Sequence, residues 1–218
     1  MNLNSLLYPA PPASYKSTHF KNELIYVPRV FHSAERKFQK KRRLDENIDF
    51  EGKKSLLNQD LQKTNIPCLY LPCATGSSKV LVYFHANAED IGLAYPLLDC
   101  IRQWARVNVL APEYPGYGLY TKKLDAAQDP KQKKPNLLKC SSKQLREDSE
   151  HIYDFILANI QDIKEIDIIL FGRSMGSGPT CHLASTRSPG AVILMSAYTS
   201  IKNVAREKFG LLSALISE

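Results

Sequence analysis

The chain has 218 residues, 44% of them hydrophobic and 23% charged, which is the balance of an ordinary globular protein long enough to bury a sizeable core in one domain. No apolar run reaches the roughly 18 residues of a membrane span, and the opening MNLNSLLYPAPP lacks the basic-then-apolar layout of a secretory signal, so a cytoplasmic protein is expected. The formal net charge is +7, and the excess is concentrated in residues 1–65, which hold 12 basic and 7 acidic side chains.

Residues 1–22, with Pro9, Pro11 and Pro12, read as an extended arm, and Glu23 to Pro28 as one short strand. Residues 29–65 are polar without a sustained period and read as a long loop. Within it, Arg36 to Arg43 is a basic run that could touch an anionic membrane surface or nucleic acid, or be a solvated loop. No recognition motif surrounds it, so no specific nucleic-acid partner is expected. From residue 66 the texture changes. Pro67 to Pro72 alternates as a strand does, and Lys79 to Phe84 is a near-continuous apolar run of the kind buried on both faces of a parallel sheet.

His85-Ala86-Asn87-Ala88-Glu89-Asp90 follows that run. Asn87 is read as the N-cap of a helix reaching about Ala105, with Leu93, Leu97, Leu98, Ile101 and Trp104 as its buried stripe. A strand at Val107 to Ala111 leads into the glycine-containing turn Glu113 to Gly118, then into an insertion at 121–140. That insertion carries Lys122, Lys123, Lys131, Lys133, Lys134 and Lys139 and reads either as a gate over a site or as a solvated loop. A helix capped by Ser141 buries Leu145, Ile152, Phe155 and Ile156. Gly190 to Met195 reads as a buried strand and Val204 to Ile216 as a further helix. Strands alternating with helices predict a doubly wound α/β sheet, whose functional loops lie at the carboxyl ends of the strands.

The stretch Glu165 to Thr180 carries most of the chemistry. A β-branched run ends in Gly172-Arg173-Ser174-Met175-Gly176 and a small-residue helix start, which is the pattern of a serine presented at the apex of a tight strand-to-helix turn. Glycines two before and two after Ser174 let neighbouring backbone pass without Cβ clashes, and the Met175 N–H at a helix N-terminus can stabilise an oxyanion. The competing reading is a small-residue connection with a buried hydroxyl. The cysteines Cys68, Cys73, Cys100, Cys140 and Cys181 have no paired metal spacing, so reduced thiols, no metal and no cofactor are expected.

Taken together, FHANAEDIG, PEYPGYGLY, FGRSMGSGP and AVILMSAYTS, in that order and spacing, resemble the α/β-hydrolase superfamily, and within it the Bem46-like group that includes the alpha/beta hydrolase domain-containing 17 depalmitoylases. The resemblance covers roughly residues 66–205. It implies a mostly parallel sheet, Ser174 as the nucleophile of a serine esterase or thioesterase, and an oxyanion hole made by the backbone N–H of Met175 with that of Ala86 or Asn87. The family usually has glycine where this chain has Ala86. His85 is assigned a supporting role through hydrogen bonding, with the role of general base as its alternative, and Gly172 and Gly176 support the turn by their lack of a side chain. The implied substrate is a small acyl ester or an acylated protein, with peripheral contact to membranes. No cysteine occurs in the first 67 residues, which speaks against a lipid anchor there.

The family places its acid and histidine after later strands. Only 44 residues follow Ser174, with no aspartate among them and His182 as their one histidine, so two strand-helix units are expected to be missing and the chain to be truncated. His182 lies eight positions along the helix, about 12 Å from Ser174 at 1.5 Å per residue, beyond hydrogen-bond reach. His151 is expected mid-helix, and His19 and His32 in the irregular N-terminal region. The alternative function is a non-catalytic, hydrolase-like binding module that lacks a complete triad.

Overall fold

The computed structural model describes residues 7–29, 65–120, 140–200, 203, 204, 206 and 207. The basic run at 36–43, His32, nearly all of the 121–140 insertion and most of the helix expected at 204–216 lie outside the described residues.

Two five-residue apolar runs make the centre of the sheet. β3 (Val80–Phe84) and β4 (Asn108–Pro112) are buried at every position, which requires cover on both faces. Around them lie β1 (Leu24–Pro28), β2 (Asn65–Leu71), β5 (Ile168–Arg173) and β6 (Ala191–Met195), in the order β1-β2-β4-β3-β5-β6. β3 runs parallel to both β4 and β5, and β6 runs parallel to β5. β1 and β2 form an antiparallel flank.

Alternation along β3 assigns the two faces. Leu81 and Tyr83 pack with Ile91, Ala94 and Leu98 of α1 (Ile91–Ala105). Val80, Val82 and Phe84 pack with Ile152 and Ile156 of α2 (Ser142–Asn159) and Leu183 of α3 (Ser177–Thr186). Helices on both faces of a mostly parallel sheet are the doubly wound arrangement that the alternation of strand and helix predicts.

Several local readings change. The N-cap of α1 is Asp90, whose carboxylate accepts from the Leu93 amide, and not Asn87. Starting the helix there fixes its rotation, so the buried stripe is Ile91, Ala94 and Leu98, while Leu93, Leu97 and Trp104 are exposed. Ile166 belongs to a 3-10 turn ahead of β5 and is exposed. β6, the terminal strand of the described sheet on that side, is exposed along its whole length and not buried. Ser141 caps α2 through the Gln144 amide as expected, with Phe155 partly buried and Tyr153 in the core instead.

The arm is largely exposed but is anchored by a few aromatic side chains. Tyr8 and Tyr15 are buried, and Phe20 stacks on Tyr95 of α1 with ring centroids 4.7 Å apart. Among the described residues, no helix is long and apolar enough to cross a membrane.

Candidate active site

Ser174 stands where β5 meets a single 3-10 turn, Ser174–Gly176, that runs directly into α3. Its φ is +49°, a left-handed conformation that costs a non-glycine residue energy and persists only where the surroundings over-determine it. The surroundings do so through two glycines. A methyl at Gly176 would collide with the Phe84 carbonyl oxygen and lie 2.6 Å from the Phe84 carbonyl carbon. One at Gly172 would meet Thr180 Oγ1 and sit 2.8 Å from the carbonyl carbon of Gly176. The turn can therefore fold tightly against the end of β3 only because both positions lack a side chain. Ser177 Oγ donates to the Ser174 carbonyl at 2.6 Å, and Thr180 Oγ1 to that of Gly176 at 2.8 Å, which ties the turn to the helix it opens. Ser174 is half-buried and Met175 is buried, with the Met175 amide in a first turn where backbone N–H groups have no intrahelical acceptor.

The loop after β3 faces this turn, since β3 and β5 are neighbours and Phe84 is in register with Gly172. The left-handed residue in that loop is Ala88, at φ +57°, and not Ala86. Ala86 N–H donates to Glu89 Oε2 at 3.0 Å, and the other oxygen of Glu89 lies 3.3 Å from Arg173 Nη1. Among the described residues no bond is formed by the Asn87 N–H. The Asn87 side chain is fixed at both ends, donating to the Leu7 carbonyl at 2.8 Å and accepting from Tyr117 OH at 2.7 Å.

His85 is fully buried, with Nδ1 3.0 Å from the Ala86 carbonyl oxygen and Nε2 3.1 Å from Glu113 Oε1, and its ring stacks on Tyr114. Glu113, at the end of β4, also accepts from Tyr15 OH at 2.9 Å and from the amides of Tyr114 and Ile91. Burial first, and the Glu113 charge second, push the Tyr15 hydroxyl well above the usual tyrosine range, so it remains a donor at any physiological pH. Ser14 reinforces the same corner by donating from backbone and side chain to the Asp90 carboxylate. His85 is thus held between the Ala86 carbonyl and the Glu113 carboxylate. Its partner Glu113 escaped sequence reasoning, although an acidic residue ending the strand next to the one that His85 ends was a usable signal.

The other described histidines are committed elsewhere. His182 Nε2 is 2.6 Å from Glu150 Oε1 on α2, His151 Nδ1 is 2.6 Å from the Glu147 carbonyl, and His19 packs beside Phe20. No described histidine is hydrogen-bonded to Ser174, and no group of described His, Cys, Asp and Glu residues could hold a metal ion. A cavity of about 200 Å³ opens against the first turn of α3, lined by Leu145, Pro179, Tyr198, Ser142, Arg146 and Thr199.

Comparison with known proteins bears on this architecture. The Pyrococcus furiosus esterase Pf2001, solved in two crystal forms, matches 91% and 95% of this chain over 62% and 65% of its own, with TM-scores of 0.51 and 0.52 at 15% and 13% identity. The chain has the α/β-hydrolase fold. At the sequence level, this α/β-hydrolase-fold chain is similar to alpha/beta hydrolase domain-containing protein 17C of Xenopus laevis, at 30% identity over 138 residues, and to the Homo sapiens protein of that name, at 29%. The match takes in 63% of this chain and 39% of the Xenopus protein, so the chain spans about two-fifths of the length of that relative. No protein-family model matches the chain.

Proposed function

We propose that the chain carries the nucleophile and oxyanion hole of a serine hydrolase that acts on an ester or thioester through an acyl-enzyme on Ser174. The observation that carries this reading is the left-handed Ser174 at a strand-to-helix turn whose flanking glycines leave no room for a methyl. The backbone conformation alone does not single Ser174 out, since Ser196 is left-handed too at φ +53°; what suits a nucleophile is that conformation combined with the two crowding glycines and the helix that opens behind it. The names of the relatives, hydrolase and esterase, point the same way.

In this reading Ser174 Oγ attacks the acyl carbon while its proton passes to a general base, supplied from outside the described residues as is the acid that orients it. Negative charge gathers on the former carbonyl oxygen and is met by the Met175 N–H on one side. The Asn87 N–H meets it on the other, since the amide of Ala86 is already engaged by Glu89. Collapse of the tetrahedral intermediate expels the alcohol or thiol with a proton, and water then cleaves the acyl-serine bond. The substrate in this reading is a small acyl ester or an acylated protein. The engagement of all the described histidines elsewhere favours a second reading, a binding module that keeps the turn without turnover.

A fluorophosphonate probe separates the two. In a protein that includes the segments expected to carry the acid and histidine, the hydrolase reading expects one labelled serine, lost in Ser174→Ala. The absence of labelling, or labelling that survives the substitution, removes it.

A further inference from the structure

The two donors of an oxyanion hole must be held at fixed separation, and here they arise from different elements: Met175 from the turn after β5 and Asn87 from the loop after β3. The strands themselves bring the loops near one another, but the 85–90 loop has no regular hydrogen bonding before α1 and contains the left-handed Ala88. Its shape is therefore set by side chains. One of them reaches across. The Glu89 carboxylate accepts the Ala86 N–H with one oxygen at 3.0 Å and faces Arg173 Nη1 with the other at 3.3 Å. Arg173 directly precedes Ser174 in the chain, and Glu89 is largely shielded, with 16% of its side chain exposed against 42% for Arg173.

We propose that Glu89 and Arg173 are positioning residues that hold the two halves of the oxyanion hole in register; this rests on the serine-hydrolase reading of the site. Each end of the bridge has a distinct task. At the loop end, the carboxylate ties up the Ala86 amide, which fixes which of the two candidate amides remains for substrate. At the elbow end, the guanidinium anchors that carboxylate one residue from the nucleophile. Opposite the bridge, the Asn87 side chain is pinned by Leu7 and Tyr117, so the Asn87 amide is held from both sides. A bridge of this kind acts on the geometry in which charge develops and contributes little to ground-state binding.

The test is fluorophosphonate labelling of Ser174 in the full chain, resolved into the maximal inactivation rate and the half-saturating probe concentration. Glu89→Ala is expected to lower the maximal rate about tenfold, a fraction of the 10²–10³ seen when an oxyanion donor is removed outright, while half-saturation changes by less than about twofold. Glu89→Gln keeps an acceptor for the Ala86 amide without the charge and should fall between the two; it also serves if Glu89→Ala fails to fold. Arg173→Lys should stay near wild type and Arg173→Ala should resemble Glu89→Ala. The double alanine variant should be no slower than the worse single one, because the residues act as a unit. Hydrogen exchange at the Ala86 amide should quicken in Glu89→Ala. Wild-type labelling with an unchanged maximal rate in Glu89→Ala, or with additive single effects, overturns the bridge and leaves the hydrolase reading standing. Absence of wild-type labelling overturns both.

Discussion

Replacing Gly176 by alanine puts the tightness of the Ser174 turn to a quantitative test. The new methyl would lie 2.6 Å from the Phe84 carbonyl carbon and 2.9 Å from Phe84 Cβ, on top of its contact with the carbonyl oxygen. Carbon atoms pack comfortably at about 3.5–4.0 Å, so the turn and β3 must separate by roughly 1 Å. Neither side yields easily, since β3 is hydrogen-bonded along both edges and the two nearest obstructing atoms are backbone. Overpacking of this kind costs about 1–3 kcal/mol and at times more, and a rigid backbone contact belongs at the upper end. About 3 kcal/mol in a chain of this size lowers the melting temperature by roughly 6–12 °C. Moving Ser174 by about 1 Å relative to its oxyanion donors should also slow labelling by about 100-fold. Differential scanning fluorimetry together with labelling kinetics reads both effects. If Gly176→Ala melts within about 2 °C of wild type and labels at the wild-type rate, the close approach does not constrain the turn.

Two further outcomes are expected. Tyr15→Phe removes a buried donor to the Glu113 carboxylate and should destabilise the chain by about 1.5–3 kcal/mol, measured by urea denaturation with an unchanged slope; a loss under about 0.5 kcal/mol would show that Glu113 does not need the arm. Burial pushes the Asp148 carboxyl up to about 6, outweighing the opposing pull of Arg29 2.8 Å away. Between about pH 4 and that value the folded chain retains a proton that the unfolded chain has released. The contribution is therefore complete below about pH 4 and is lost as pH rises through 6, so wild type should lose up to about 3 kcal/mol relative to Asp148→Asn across that window. Parallel stability curves for the two proteins would contradict the assignment.

The elbow was legible because its requirements are local. A serine between two glycines, after a β-branched run and before small residues, encodes its own turn, and Ser174 stands at that turn in the structure. The phase of α1 was not legible in the same way. Leu93, Leu97 and Trp104 lie on one helical stripe as convincingly as Ile91, Ala94 and Leu98, and the choice between stripes is made by where the sheet lies and by Asp90 capping three residues later than Asn87. β6 illustrates a second limit. An apolar run such as AVILM reads alike at the centre and at the end of a sheet, and its burial depends on neighbours that the run does not specify. The His85 to Glu113 contact and the Glu89 to Arg173 bridge both join residues that strand order brings together, across separations of 28 and 84 positions, so neither can be seen before β3 is placed between β4 and β5.

The anchored arm has a consequence for how the protein is made. Ser14 meets Asp90, 76 positions later, and Tyr15 meets Glu113, 98 positions later. At a synthesis rate of about 5–20 residues per second, Tyr15 leaves the ribosome roughly 5–20 s before its partner is translated. Until α1 is translated, Tyr15 and Phe20 lack the Ile91 and Tyr95 contacts that cover them. The Asn87 loop in turn waits for Leu7 before its side chain is fully held. A segment translated well before its partners is thus among the last to dock, and the 85–90 loop is fully held only when Leu7 comes back to it.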